Sequence, residues 1–167
     1  MGAEINFERA IGKGAFTRIK RRLNMTTVKV LFIDDEKAFV DTMAKRLMKR
    51  GIDVVPAFNG KDALDRIKKN SAIEAIILDI KMPVMDGMAA LKVIKRKYPL
   101  LEVIMLTGHA TVESAIEGMK MGAFDYLMKP CDMDRLVSTV EAAAKRKQQQ
   151  EQRIIQRRKW GRLVSGV

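Results

Sequence analysis

The sequence predicts an α/β fold in which a doubly wound, five-stranded parallel sheet carries helices on both faces. Two observations lead to this prediction. Short, β-branched apolar segments, which suit buried strands, occur five times along the middle of the chain. Each of them is followed by a segment whose apolar residues recur at helical spacing. Strands that each lead into a helix imply a parallel sheet covered on both sides.

The five predicted strands are mostly apolar segments of five to seven residues. Val, Ile and Leu dominate them, as expected for strands buried on both faces. In chain order they comprise residues 28–33, 52–58, 74–78, 102–106 and 124–128.

The helix after each strand is predicted from spacing and from capping residues. Apolar side chains from Phe39 to Met48 form one stripe of an amphipathic first helix, with Asp35 as its expected cap and Gly51 at its end. Asn59 is expected to cap the second helix. The third, fourth and fifth helices are predicted to begin near Gly87, Val112 and Asp132, and the fifth to run into the tail.

Charge divides the chain into a near-neutral body and two basic ends. Residues 28–144 hold 18 Lys/Arg against 17 Asp/Glu, residues 1–27 hold six against two, and residues 145–167 hold eight against one. We therefore predict a basic N-terminal extension over 1–27, a globular domain over 28–144 and a basic helical tail over 145–167. Met25 leaves open whether residues 1–24 belong to the natural protein.

Composition excludes several classes of protein. The longest apolar runs have about five residues, whereas a membrane span needs about 20, so no membrane is expected among the partners. Cys131 is the only cysteine and His109 the only histidine, which excludes an internal disulfide, a cysteine zinc cluster and most histidine-built metal sites. We expect a protein of the reducing cytoplasm.

Polar residues that can do chemistry end four of the five strands. Asp34 and Asp35 follow the first strand, Asp79 the third, Thr107 the fourth and Lys129 the fifth. Ligands of open parallel sheets bind outside the carboxyl ends of the strands. We therefore expect three carboxylates, a hydroxyl and an amine to converge on one crevice.

This set of groups predicts phosphoryl chemistry. Three carboxylates at close range repel one another unless a cation lies among them. Mg²⁺, which prefers oxygen ligands, fits such a site, and Lys129 adds a second cation. A metal ion, a lysine and an attacking carboxylate are what phosphoryl transfer to an aspartate requires.

Here the sequence resembles the receiver domain of bacterial two-component response regulators, which accepts phosphate from a histidine kinase. Residues 79–87, Asp-Ile-Lys-Met-Pro-Val-Met-Asp-Gly, follow the family pattern D-x-x-M-P-x-x-D-G. The acidic pair, the run Leu106–His109 and the run Tyr126–Pro130 follow in family order at plausible spacing. The resemblance covers residues 28–144 and implies a flavodoxin-like sheet with strand order 2-1-3-4-5.

The resemblance implies a role for each charged residue of the site. Asp79 would be the phosphoacceptor. Mg²⁺ would be bound by Asp79, Asp35 and the backbone carbonyl of Lys81, with Asp34 acting largely through water. Lys129 would pair with a phosphoryl oxygen.

The remaining motif residues would switch the domain or shape its loops. Thr107 would move to bond the phosphoryl group, and Tyr126 would turn inward behind it. The residues with an implied structural role are Pro83, Gly87 and Pro130, the last of them after a cis peptide bond.

The resulting prediction is a response regulator receiver that accepts phosphate on Asp79 and switches a protein-interaction face. That face comprises helix 4, strand 5 and helix 5, roughly Val112 to Ala144. The domain is not expected to be an enzyme beyond catalysing its own phosphorylation and dephosphorylation. The expected partners are a histidine kinase and a downstream protein, and a homodimer is left open.

Three alternatives stay open at this point. A phosphorelay intermediate would use the same site. A regulator that binds nucleic acid through its basic ends is a second alternative, although nothing in the chain resembles a helix-turn-helix and nucleic acid is not among the partners we expect. An aspartate-nucleophile phosphatase is the third, and the absence of an Asp-x-Asp arrangement at Asp79 disfavours it.

Overall fold

The predicted sheet is confirmed in a computed structural model, which describes residues 27–164. Five parallel strands lie in the order β2-β1-β3-β4-β5. The strands are β1 Lys29–Ile33, β2 Asp53–Ala57, β3 Ala75–Leu78, β4 Glu102–Thr107 and β5 Asp125–Met128. The helices are α1 Lys37–Lys49, α2 Gly60–Lys69, α3 Gly87–Lys97, α4 Val112–Lys120 and α5 Met133–Val164. The predicted N-terminal extension, apart from Thr27, lies outside the described residues.

Two apolar layers cover the sheet, one on each face. Alternate residues of β1 point to opposite layers: Leu31 and Ile33 to one, Val30 and Phe32 to the other. The first layer is closed by α2 and α3, and the second by α1 and α5. Because the central strands are buried on both faces, their interior positions are apolar, and the polar residues Lys29, Glu102 and Thr107 lie at strand ends.

The strand ends differ slightly from the prediction. Four strands begin one residue later than predicted. At three of them the omitted residue (Val28, Ile52 or Phe124) is apolar but lies outside the strand. Ile52 illustrates the reason: its side chain is buried, but its N–H donates to the carbonyl of Leu47 (3.1 Å) and closes α1 instead of pairing with β1. β4 extends one residue further than predicted and includes Thr107.

Of the two predicted helix caps, one is confirmed and one is wrong. The Asn59 side chain accepts a hydrogen bond from the N–H of Asp62 (2.8 Å), as predicted. Asp35 does not cap α1, which begins after Glu36 without a side-chain cap. The reason is that Asp34 still belongs to the sheet edge, since its N–H donates to the carbonyl of Ala57 (3.1 Å).

The basic tail continues α5 without a break, as predicted for residues after 144. The helix is 32 residues long, and its buried side chains end at Lys147. Arg146 forms an ion pair with the buried Glu102 of β4 (3.2 Å), and Gln148 bonds to Glu74. From residue 152 to 164 every residue is exposed, which corresponds to about 20 Å of helix. Within residues 27–164, no helix is both long and apolar enough to cross a bilayer.

Candidate functional site

The sheet itself brings four of the predicted site residues to one edge. The N–H of Asp79 donates to the carbonyl of Ile33 (2.9 Å), so the β1–β3 ladder extends to Asp79. The N–H of Lys129 donates to the carbonyl of Thr107 (2.9 Å), which ties the end of β5 to the end of β4. The backbone positions of the site are therefore fixed by the same hydrogen bonds that form the sheet.

Three carboxylates meet at this edge, as predicted. One oxygen from each of Asp34, Asp35 and Asp79 lies within 4.8 Å of the other two. Asp34 is fully buried and Asp79 is 4% exposed, whereas Asp35 faces solvent. Two buried acids with a third at the surface form a pocket of hard oxygen donors that is open on one side.

Lys129 lies among these acids. Its Nζ is 2.6 Å from Oδ2 of Asp34 and 3.9 Å from Oδ1 of Asp79. Oε1 of Glu36, which the sequence reading did not include, is 3.7 Å away. Lys129 thus lies near three carboxylates. Asp35 adds a fourth to the cluster, so the site carries an excess of negative charge.

The crowding of carboxylates changes the pKa of Asp79. Burial raises its pKa from the ordinary value near 3.8, and the charge of Asp34 raises the pKa further. Lys129 and hydrogen bonds from the Thr107 hydroxyl and the Ile80 N–H act in the opposite direction without cancelling the increase. Among the buried side-chain oxygens and nitrogens of residues 27–164, Oδ1 of Asp79 alone has no hydrogen-bond partner.

These features fit a hard divalent cation. Oδ1 of Asp79 accepts no hydrogen bond, and Lys129 Nζ at 3.9 Å is too far away to supply one. A metal ion would satisfy this oxygen, and the carboxylates of the cluster offer it oxygen ligands. Mg²⁺ prefers one or two carboxylates and retains water at its other positions, which suits a cluster with one solvent-facing side. The predicted contribution of the Lys81 carbonyl stays a prediction, and the Lys81 side chain is exposed.

The two predicted switch residues lie on neighbouring strands. Thr107 is fully buried, and its hydroxyl oxygen accepts a hydrogen bond from the N–H of His109 (3.1 Å). Tyr126 is half-buried, and its hydroxyl lies 2.7 Å from the hydroxyl of Ser114 in the first turn of α4. This hydrogen bond connects β5 to α4, and the movements implied for Thr107 and Tyr126 stay predictions.

The loop from Asp79 to α3 explains why its sequence pattern is so restricted. Met82 is buried in the core, and Asp86 caps α3 by accepting from the N–H of Ala89 (2.8 Å). At Gly87, a β-carbon would lie only 2.0 Å from the carbonyl oxygen of Asp79. The start of α3 therefore packs directly on the backbone of Asp79, and only glycine leaves room for this contact.

The two predicted structural prolines lie in the loops of the site. Pro83 is exposed, and its carbonyl accepts a hydrogen bond from the N–H of Met85 (2.8 Å). The Lys129–Pro130 peptide bond is cis, as the resemblance implied.

Sequence reasoning missed an aromatic contact at the site. The Phe39 ring, predicted only as part of the apolar stripe of α1, lies beneath Lys129, with 4.2 Å between Nζ and the ring centroid. No local pattern indicates this contact, because the two residues are 90 positions apart and meet only when α1 packs beside β1.

Residues 30–141 match the response regulator receiver domain. The chain belongs to this family. Its domain is thus a receiver of two-component signal transduction, which confirms the resemblance, the fold class and the general function predicted from the sequence.

Curated relatives of this receiver are longer regulators. The putative response regulator NtrX-like of Rickettsia felis is 38% identical over 121 residues, which are 71% of this chain and 25% of that protein. The DNA-binding transcriptional regulator NtrC of Escherichia coli is 36% identical over 123 residues, 74% of this chain and 26% of that protein. The chain spans about a quarter of the length of the curated relatives it matches.

Solved receiver structures agree with the fold. A receiver domain protein from Clostridium thermocellum has a TM-score of 0.69 at 37% identity, covering 72% of this chain and 97% of its own. NtrX from Brucella abortus has a TM-score of 0.70 at 32% identity, covering 76% of this chain and 29% of its own. DNA binding in the name of NtrC concerns that whole protein, so the expectation that nucleic acid is not a partner here stays untested.

Proposed function

We propose that this receiver accepts a phosphoryl group on Asp79 from a histidine kinase in a Mg²⁺-dependent reaction. The observation that carries the proposal is Oδ1 of Asp79, a buried oxygen without a hydrogen-bond partner. It lies in a cluster of carboxylates, 3.9 Å from the ammonium of Lys129. A nucleophile and a cation at this separation suit the formation of an acyl phosphate.

The chemistry follows from what each side chain can do. An oxygen of the ionised Asp79 carboxylate forms the bond to phosphorus, while the phosphorus–nitrogen bond of the donor breaks and its electron pair returns to the imidazole. Lys129 offers charge and hydrogen bonds to a phosphoryl oxygen, and Thr107 offers a hydroxyl. Mg²⁺, held by Asp79, Asp35 and the Lys81 carbonyl with Asp34 through water, would offset charge on the phosphoryl oxygens.

We infer that the output is a protein contact at α4, β5 and α5. Apolar side chains are exposed there: Val112, Ile116 and Met119 on α4, and Met128 on β5. The Tyr126–Ser114 hydrogen bond (2.7 Å) joins two of these elements, and it offers a path by which a change near Thr107 reaches the surface. The domain would catalyse only its own phosphorylation and dephosphorylation.

Intact-protein mass tests the proposal. The parent chain and Asp79→Asn are incubated with Mg²⁺ and a small acyl phosphate, with Asp65→Asn as a matched control, since Asp65 is exposed on α2. We expect one added phosphoryl group in the parent and in Asp65→Asn, none in Asp79→Asn, and none in any chain after chelation. Equal uptake by the Asp79→Asn chain would overturn the assignment of the phosphoacceptor.

Nucleic-acid binding is a second candidate function, and the exposed end of α5 is the observation that favours it. Five cations and no acids lie between residues 152 and 164, all of them exposed: Arg153, Arg157, Arg158, Lys159 and Arg162. Such a segment can contact phosphates without reading sequence. A gel shift with duplex DNA that weakens steeply with salt, and is lost when residues 152–167 are removed, would support it.

A further inference from the structure

The ammonium of Lys129 is bound on two sides by groups of different kinds. On one side it contacts the carboxylates of Asp34 (2.6 Å) and, at longer range, Asp79 (3.9 Å). On the other side it lies 4.2 Å from the centroid of the Phe39 ring. Its side chain is only 15% exposed, so water competes little for the cation, and a cation–π contact gains strength when it is desolvated.

The ring is held in place by the core. Phe39 packs edge-on against Phe32, with 6.0 Å between centroids and 71° between the ring planes. Phe32 lies on β1 and is 1% exposed, so it cannot shift without disturbing the sheet. Phe39 therefore presents a fixed face to Lys129, at the edge where β1 ends.

We propose that Phe39 is a positioning residue for Lys129, and this inference rests on the proposed function. Lys129 is closest to Asp34 but has to serve a phosphoryl group on Asp79. A carboxylate pulls the ammonium toward itself and partly neutralises it. The aromatic face attracts the ammonium without a charge of its own and without a proton to exchange. Lys129 can thus exchange the carboxylate of Asp34 for a phosphoryl group on Asp79 while the ring keeps the ammonium in place.

The ring also restricts a side chain that is otherwise mobile. Lysine has a four-carbon stem with rotatable bonds, and its positioning in a reaction depends on what limits them. Without the ring, only carboxylates would restrain Nζ, and the nearest of them is Asp34 at 2.6 Å, ahead of Glu36 at 3.7 Å and Asp79 at 3.9 Å. We expect Lys129 then to rest against Asp34 and to meet the phosphoryl group less often.

The rate of phosphorylation tests this role. We compare Phe39→Leu, which removes the ring at similar size, with Phe39→Tyr, which keeps it. Phe58→Leu is the matched control, because Phe58 is also half-buried against the same core layer and has Lys37 over its ring at 5.4 Å. We expect Phe39→Leu to be about three- to ten-fold slower with a small acyl phosphate, and Phe39→Tyr and Phe58→Leu to stay within about two-fold of the parent.

Nuclear magnetic resonance tests directly whether Lys129 lies over the Phe39 ring in solution, while rescue of the rate by Phe39→Tyr separates positioning from a loss of packing. Protons on the ε-carbon of Lys129, over the ring face, should resonate upfield of their random-coil position in the parent chain and in Phe39→Tyr. They should return toward that position in Phe39→Leu. The measurement needs no phosphorylation and can be made on the parent alone, so it holds even if a variant folds poorly.

The outcomes separate this inference from the proposed function. If the parent takes up no phosphate, the proposed function fails, whatever the spectrum shows. If the parent is phosphorylated and Phe39→Leu reacts as fast as Phe58→Leu, the positioning role is refuted. Lys129 resonances at random-coil positions in the parent would also refute it. A slow Phe39→Leu, rescued in Phe39→Tyr and accompanied by the resonance shift, would support it.

Discussion

Replacing Asp79 with asparagine should make the cation-free protein more stable. The substitution keeps the shape of the side chain and removes a charge that is 4% exposed, close to Asp34 and without a hydrogen-bond partner on Oδ1. Leaving a buried group unsatisfied costs about 1–3 kcal/mol, and more when the group is charged, so the carboxylate carries a larger penalty than the amide, by an amount on the order of that range. For a domain of this size, each kcal/mol changes the melting temperature by about 2–4 °C, so a central value of about 2 kcal/mol corresponds to a rise of about 6 °C.

The direction of the pH dependence follows from the raised pKa of Asp79. The folded state holds the proton more tightly than the unfolded state, because burial and Asp34 both disfavour the charged form. The parent therefore loses stability as the pH rises from the ordinary aspartate value through the raised one. The Asp79→Asn chain lacks this loss, so its advantage should be absent in acid and complete above the raised pKa.

Thermal unfolding followed by circular dichroism, in a chelator, measures the difference. Asp65→Asn serves as control, because a surface substitution away from special features changes stability by less than about 0.5 kcal/mol. Adding Mg²⁺ at about 100 times its dissociation constant should stabilise the parent by about 2.7 kcal/mol, and Asp79→Asn far less. An Asp79→Asn chain that is no more stable than the parent at neutral pH would refute the claim that the buried carboxylate destabilises the folded protein.

Three further substitutions test the loops around the site. Gly87→Ala should lower the free energy of unfolding by about 2 kcal/mol or more and slow phosphorylation, because its β-carbon would meet the Asp79 carbonyl at 2.0 Å. Denaturant unfolding and intact-protein mass measure the two effects. Parent-like stability and a parent-like rate would contradict this contact. Val84→Asn should raise the midpoint of chemical unfolding, with a gain in stability of about 1 kcal/mol. The reason is that the exposed Val84 has a φ of 70°, which strains a β-branched residue. A lower midpoint would show that no strain is stored there. Asn59→Ala should cost about 1 kcal/mol by removing the cap of α2, and hydrogen exchange in α2 should become faster while exchange in α3 stays unchanged.

The sheet was predictable because each strand and helix is specified by residues close together in the sequence. Five apolar runs and the helical stripes between them do not depend on distant residues. The four strand-end residues Asp34, Asp79, Thr107 and Lys129 were predictable for a related reason, since parallel strands place their carboxyl ends at one edge. Asp35 was misread as a helix cap because one more residue of strand geometry, at Asp34, displaces the start of the helix.

The contacts that sequence reasoning missed are those that depend on how a helix packs beside the sheet. Phe39 of α1 and Glu36, which directly precedes α1, contact Lys129, and Ser114 of α4 contacts Tyr126. Each depends on the packing angle of a helix against the sheet, which no periodicity reveals. Phe39 is the clearest case. Its place in the apolar stripe of α1 predicts an ordinary core residue, whereas its ring face lies under Lys129 of the site.

The carboxylate edge is held together against its own repulsion by the sheet. The ladder that fixes Asp34 and Asp79 extends from strands buried in two apolar layers, so the repulsion cannot relax by moving the backbone. It can be relieved in three ways: by a proton on Asp79, by a cation, or by movement of Lys129. The first removes the nucleophile and the second preserves it. A rigid edge therefore makes protons and divalent cations compete for Asp79, which links the folding energy of the domain to its readiness to accept phosphate.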